Sequence, residues 1–197
     1  MLHSHPTGLP ALAALMLGFV AFAIAVIAAR QRRAAADTGT QHRSGRSIAG
    51  IVVQCLAFFL TGFGVSTAAL DPMSLPALGQ AAAVALLMAF AVALFVWASR
   101  TMGRNWSIVA RTRSDHELVT TGPFAHVRHP IYGAMALLLV ALAIGLGNEL
   151  RLTVALPIYA LGTWLRVAEE ERLLREAFGE RYDAYAIRVK RFLPGLV

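Results

Sequence analysis

The sequence predicts an all-α, polytopic integral membrane protein with five transmembrane helices. Three observations predict it. Of the 197 residues, 57% are hydrophobic and only 15% charged, where a soluble domain carries about 25% charged residues. The apolar residues gather in blocks of bilayer length, and mean hydropathy is +0.61. The cations flank those blocks and collect on one side of the chain's zigzag. A soluble cytoplasmic protein and a disordered chain are both excluded.

Leu9–Ala29 is uncharged over 21 residues, about 31 Å as a helix and enough for one span. No positive charge precedes it, while Arg30, Arg32 and Arg33 follow. It therefore reads as a span with its N-terminus outside rather than a cleaved signal. Arg30 to Ser47 is a polar connection. Ile48–Leu70 and Ala77–Ala98 are the next spans, and Pro72 and Pro76 between them forbid continued helix and force a hairpin.

From Ser99 to Pro130 the chain turns polar, with five arginines and three histidines. Ile131–Gly147 is the fourth run, turned at Asn148–Arg151. The fifth, Leu152–Leu165, contains Pro157 and spans only by continuing through Arg166 towards Ala168. Beyond it the pattern predicts helix to about Phe178, with Leu173, Leu174, Ala177 and Phe178 as an apolar stripe and Gly179 as its end. The chain thus divides into three N-terminal spans, residues 1–100, and a polar half with the last two spans, residues 101–197, within one structural domain.

The formal charge is +7, almost entirely from arginine, since Lys190 is the single lysine. In a soluble domain this would point to nucleic acid. Here anionic headgroups and membrane orientation account for it. With the first charged connection inside, 17 of the 18 cations lie inside and Arg151 alone outside. The predicted topology is N-terminus outside and C-terminus cytosolic, in the plasma (inner) membrane if the source is bacterial. Cys55, the single cysteine, lies in an apolar run and can form neither an intramolecular disulfide nor, alone, a zinc site.

The first four apolar runs contain no Asp, Glu, Lys, Arg or His. Proton relays and ion paths need such groups, so an ion-coupled transporter is disfavoured. The polar chemistry is concentrated instead in Ser99–Pro130 and Arg166–Val197, on the cytosolic side. Gly122-Pro123 makes a turn, and Pro130 suits the first position of the fourth helix. Arg128 and His129 then sit at a helix N-terminus, where free N–H groups favour an anion such as a carboxylate. Tyr132 lies one turn in. The same residues would also suit a plain juxtamembrane anchor, with Arg128 on lipid phosphate and Tyr132 in an aromatic belt.

Arg166 and Glu170 are spaced to pair along one helical face. Three adjacent carboxylates, Glu169, Glu170 and Glu171, at a membrane boundary require a partner for at least one of them, such as ligand hydroxyls or a cationic centre. A zinc site from His116, His126 and His129 matches no standard spacing, and no metal is expected.

The segment Arg128-His129-Pro130-Ile131-Tyr132 resembles the R-H-P-x-Y signature of the isoprenylcysteine carboxyl methyltransferase family, related to phospholipid N-methyltransferases. The likeness extends in order through Gly103-Arg104-Asn105-Trp106-Ser107, Leu118–Phe124, Glu170-Glu171 and Phe178-Gly179-Glu180-Arg181-Tyr182 to Pro194, roughly Thr101 to Val197. One departure is that Gly133 follows Tyr132 directly, where many members place glycine one residue later.

The resemblance implies a five-helix core that binds S-adenosyl-L-methionine from the cytosol and admits a lipophilic or prenylated substrate from the membrane. It implies that Leu118, Val119, Gly122, Pro123, Arg128, His129 and Tyr132 wrap the cofactor. Glu170 or Glu171 would hold it from the C-terminal side, and Arg166 and Arg104 would steer the substrate's polar end. The expected reaction is methylation of a carboxylate, as on isoprenylcysteine. The alternatives are N-methylation of phosphatidylethanolamine and a non-enzymatic membrane scaffold or lipid-binding protein.

Overall fold

A computed structural model describes residues 5–34, 45–64, 67–103 and 117–195. Among these the chain is helical: α1 (Leu9–Ala34), α2 (Gly45–Gly62), α3 (Leu75–Met102), α4 (Pro130–Leu146), α5 (Leu152–Phe178) and α6 (Glu180–Arg188). No strand is present among the described residues, and Thr7 with Ala68 and Val127 with Lys190 form isolated bridges only. Three helices, α1 to α3, are long and apolar enough to cross a membrane, and α4 is a shorter apolar helix. All five predicted apolar runs are helical over most of their length.

Two expectations need correction. The second run was expected to reach Leu70, but α2 ends at Gly62. Residues 67–70 instead pair with the N-terminal segment, through Thr7 N–H to Thr67 O (3.0 Å) and Leu70 N–H to Thr7 O (3.2 Å). Apolar composition alone does not distinguish a helical turn from an extended segment whose backbone finds another partner. Nor are α2 and α3 the packed hairpin expected. α3 packs on α1 and α4, while α2 packs on α5 and α4.

α3 starts at Leu75, two residues before the apolar run, on a Ser74 cap that accepts from the Ala77 N–H, and Pro76 lies in its first turn. α5 is one continuous 27-residue helix, about 40 Å long. Pro157 lies in its second turn, where the missing N–H costs one intrahelical bond near the end. Beyond Ala168 the expected apolar stripe is only half-buried at Leu173, Leu174 and Phe178, and Ala177 is exposed. The buried face there is polar, carrying Arg166, Glu169 and Glu171. Gly179 ends α5 with φ +52°, as predicted.

α4 is the central helix. One of its faces joins α1 and α3 through Ala11, Leu15, Val84, Met88, Ala91, Leu138 and Ala141. Another joins α2 and α5 through Ala57, Leu139, Ala155 and Tyr159. The prevalence of alanine fits a bundle held by close approach rather than by exclusion of water, since lipid is as apolar as a side chain. The outward faces carry exposed Met16, Leu17, Val20, Leu86, Phe90, Leu161 and Trp164.

α2 and α5 cross with their backbones in contact. A Cβ on Gly162 would lie 2.8 Å from the Gly50 carbonyl oxygen and 2.9 Å from the Gln54 nitrogen. A Cβ on Gly50 would run into the Arg166 side chain. These two glycines set where α5 delivers Arg166 and the glutamates.

Candidate active site

The site is built where the start of α4 meets the last turns of α5. Pro130 opens α4, and His129 precedes it as the N-cap residue with φ −128°. The preceding turn, Gly122–Ala125, carries Gly122 at φ +59°, which glycine adopts without strain. A Cβ there would also meet Thr101 Oγ1 at 2.6 Å, so the turn lies directly on the end of α3. The Tyr185 hydroxyl of α6 donates to the Phe124 carbonyl at 2.6 Å, tying the turn to the C-terminal helix.

The chain then returns beneath α4. Arg128 N–H donates to Lys190 O (2.8 Å) and His129 N–H to Arg191 O (3.0 Å). Arg191 extends to Glu171, with Nε to Oε1 at 3.0 Å and Nη2 to Oε2 at 2.8 Å. Arg128 reaches the same carboxylate through Nη2 at 3.0 Å. Its Nη1 is bound by the carbonyls of Ala186 and Val189. His129 Nε2 lies 3.2 Å from Glu171 Oε1. The Arg128 and His129 side chains at the start of α4 are engaged by the protein's own Glu171, buried and ringed by cationic groups. Arg128 binds Glu171 and Tyr132 binds Glu170, contrary to the anchor arrangement that would put them on lipid.

Glu170 occupies a different setting. Its side chain is 26% exposed. It accepts from the Tyr132 hydroxyl at 2.5 Å and faces His129 Nδ1 at 3.6 Å and Arg166 Nη2 at 3.9 Å. The Arg166 guanidinium lies over the Tyr132 ring, 5.0 Å from its centroid. Glu169 is taken up by Arg172, at 2.7 Å and 3.1 Å. Each of the three glutamates thus has a partner, and only Glu170 combines partners from α4 and α5 with partial exposure.

Charge follows this geometry. Burial works against the ionised form of Glu171, but hydrogen bonds from His129, Arg191 and Arg128 outweigh it and hold the carboxyl well below the usual range. Glu170 is lowered too: burial is overcome by the hydrogen bond and charge of His129, the charge of Arg166 and the Tyr132 hydrogen bond. Burial alone would depress His129, yet its bonds to Glu170 and Glu171 raise it above 6.5.

The structure thus brings together Arg128, His129, Tyr132, Arg166, Glu170 and Glu171, with Gly122 and Pro123 tied to the same corner by Tyr185. Leu118 and Val119 lie half-buried in the non-helical segment leading to that turn. Arg104 lies outside the described residues. His126 is exposed, and His116 is also outside the described residues.

Three participants lie outside the residues the sequence pattern marks, and a fourth, Tyr182, is marked there only as part of the tail motif. Arg191 closes on Glu171 from 20 residues away. Gln54 accepts from Arg166 Nη1 at 3.0 Å. The Tyr159 hydroxyl donates to the Tyr132 carbonyl at 2.6 Å. Tyr182 is fully buried beside Arg175, its hydroxyl without a hydrogen-bond partner. Gln54, the one amide in an otherwise apolar run, was the legible signal among them.

Residues 83–176 match the model of the isoprenylcysteine carboxyl methyltransferase (ICMT) family. Over 100 residues the chain is 35% identical to the probable protein-S-isoprenylcysteine O-methyltransferase of Oryza sativa subsp. indica, covering 48% of this chain and 50% of that protein. It is 36% identical over 102 residues to the nickel-cobalt-cadmium resistance protein NccN of Alcaligenes xylosoxydans xylosoxydans, covering 49% and 45%. With the protein-S-isoprenylcysteine O-methyltransferase of Mus musculus it shares 35% identity over 115 residues, covering 55% and 39%. The chain spans half or less of the length of these curated relatives. The match begins earlier than the motifs suggested, inside α3, and stops short of the Phe178–Pro194 tail. Over that stretch, from α3 into the last turns of α5, the chain resembles the isoprenylcysteine carboxyl methyltransferase family, as its ordered motifs predict.

Proposed function

We propose that the chain is an integral membrane methyltransferase of five membrane helices that uses S-adenosyl-L-methionine to methylate a lipophilic carboxylate of the isoprenylcysteine kind. The observation that carries this reading is the convergence of Tyr132, His129 and Arg166 on the partly exposed Glu170 carboxylate. It lies within the stretch that matches the family.

The donor set suits a cationic cofactor. Glu171 is saturated by Arg128, Arg191 and His129, so Glu170 is the carboxylate that would face the cofactor's positive end. His129 and Tyr132 would wrap it from α4, and Leu118–Pro123 from the connecting segment. When bound, S-adenosylmethionine supplies a methyl group activated by a sulfonium sulfur. Arg166 and Arg104 are the residues that would orient the acceptor, a guanidinium fork matching a carboxylate's two oxygens. Catalysis would come from alignment and exclusion of water.

The lowered carboxyls favour a carboxylate acceptor over the amine of phosphatidylethanolamine. An acceptor carboxylate is already ionised at neutral pH and needs no base. An ammonium must lose a proton. Glu170 and Glu171 are both held below the usual carboxyl range, which makes these two carboxylates weak proton acceptors.

Membranes containing the protein, incubated with methyl-labelled cofactor, should yield a lipophilic product that loses its label in mild base, as an ester does. A base-stable labelled lipid would support the amine reading. No heat on titrating S-adenosylhomocysteine into the purified protein would leave the scaffold reading.

A further inference from the structure

Within the proposed reaction, on which this inference rests, the geometry points to Gln54 of α2 as a positioning residue that fixes the Arg166 guanidinium for the acceptor's carboxylate. Gln54 is 2% exposed and lies midway along α2, between the apolar residues 51–53 and 55–60. Its Oε1 accepts from Arg166 Nη1 at 3.0 Å, and its Nε2 donates to Thr163 Oγ1 at 2.8 Å. Both partners are on α5, one turn apart. The amide therefore has its orientation set by Thr163, and its oxygen is left to hold the arginine.

The backbone is arranged around this contact. At the Gly50–Gly162 crossing, neither glycine has room for a side chain. Any larger residue there would push Gln54 away from Arg166. A charged side chain near hydrocarbon costs about 2.5–3.5 kcal/mol even by the mildest scales and is normally drawn to the interface. Here Arg166 is 8% exposed and held from three directions: the Gln54 amide, the Glu170 carboxylate and the Tyr132 ring.

The contribution of Gln54 differs in kind from that of Glu170. A second carboxylate against Arg166, beside Glu170, would leave the cluster net negative and repel an acceptor carboxylate. A neutral amide oxygen fixes one edge of the guanidinium and adds no negative charge beside an incoming anion. This gives α2 a role in acceptor selection, although its sequence lies outside the segment matched by the family model.

The test uses the full-length protein in detergent and three probes: S-adenosylhomocysteine, an N-acetylated S-prenyl cysteine, and the same compound as its carboxamide. Calorimetry on the wild type should show the acid bound at least tenfold more tightly than the amide. Gln54→Leu should weaken the acid about tenfold, the scale of one hydrogen bond to a charged group. The carboxamide and S-adenosylhomocysteine should stay within twofold. Arg166→Lys should lose the same discrimination, and adding Gln54→Leu to it should cost less than a further twofold, because the amide acts only through the arginine. Thr163→Val should lose part of the discrimination and Thr163→Ser should restore it. That pair decides the question if Gln54→Leu does not fold. An unchanged acid-to-amide ratio in Gln54→Leu, multiplicative effects of the two substitutions, or an equal loss of S-adenosylhomocysteine binding would each overturn the inference. A wild type that binds S-adenosylhomocysteine without preferring the acid would overturn it alone, whereas one that binds no S-adenosylhomocysteine would bring down the methyl-transfer reading itself.

Discussion

Glu170 and Glu171 are neighbours of identical chemistry in unlike surroundings. Glu171→Gln leaves the partly buried Arg128 and the half-exposed Arg191 without their shared anion. Because Arg191 can still reach water, the expected loss is at the lower end for a broken buried pair, about 3 kcal/mol. It should show as a lower Tm and earlier proteolysis of the tail. Glu170→Gln keeps a hydrogen-bonding group of the same shape at a partly exposed position, so Tm should move little. Its affinity for S-adenosylhomocysteine should fall at least tenfold. Equal Tm losses for the two variants would refute this division of labour.

The same corner predicts a pH window. The lowered carboxyls contribute stability that is complete above 4.5 and lost as pH falls through their depressed values. The raised imidazole contributes stability that is complete below 6.5 and lost as pH rises through its elevated value. Docking of the tail segment on the α4 entrance should therefore be tightest between pH 4.5 and 6.5 and loosen on the alkaline side. Protection factors of the Arg128 and His129 amides, which donate to Lys190 and Arg191, report it directly. Protection unchanged from pH 5 to 9 would remove His129 from the account.

At the scale of elements, the α2–α5 crossing is the joint most sensitive to volume. Gly162→Val would place atoms against the Gly50 carbonyl and the Gln54 backbone, neither of which is a flexible side-chain tip. The helices must separate, at about 1–3 kcal/mol. A thermal unfolding scan should show the loss, and acceptor binding should fall with it because Gln54 and Arg166 part. Gly79, whose Cβ would meet nothing within 4 Å, is the control: Gly79→Ala should be neutral or slightly stabilising. The sequence marked these runs as helical through their apolar length, but glycine in a run of small residues says nothing of which glycine meets which. That pairing depends on the rotation of each helix about its axis, set by packing against neighbours.

For the whole molecule, the distribution of cations makes the sharpest prediction. On the five-span reading 17 of 18 cations fall on one side, so the arginine-rich end, where α4 begins and α5 ends, should face the cytosol. Replacing Cys55 by serine and placing single cysteines at Ser74 and Arg181 gives one reporter for each end. A membrane-impermeant maleimide applied to intact cells should label the Ser74 position and spare the Arg181 position. The reverse pattern would invert the topology, and with it the side from which a water-soluble cofactor reaches the corner.

What the sequence determined by itself is what depends on composition and on neighbours along the chain. Bilayer-length apolar runs predict helices, Pro130 marks the start of α4, and Gly179 stops α5. The order of Arg128, His129, Tyr132 and the glutamates was sufficient to show the family likeness. What only the tertiary structure decided depends on which faces meet. Glu171 is the structural anion and Glu170 the partly exposed one. Arg191 and Gln54 join the site from distant parts of the chain. α2 packs on α5 instead of forming a hairpin with α3. The reason is physical: a side chain's chemistry is fixed by its type, but its protonation, burial and partners are fixed by helices far away in the chain. No period or spacing records how those helices rotate against each other.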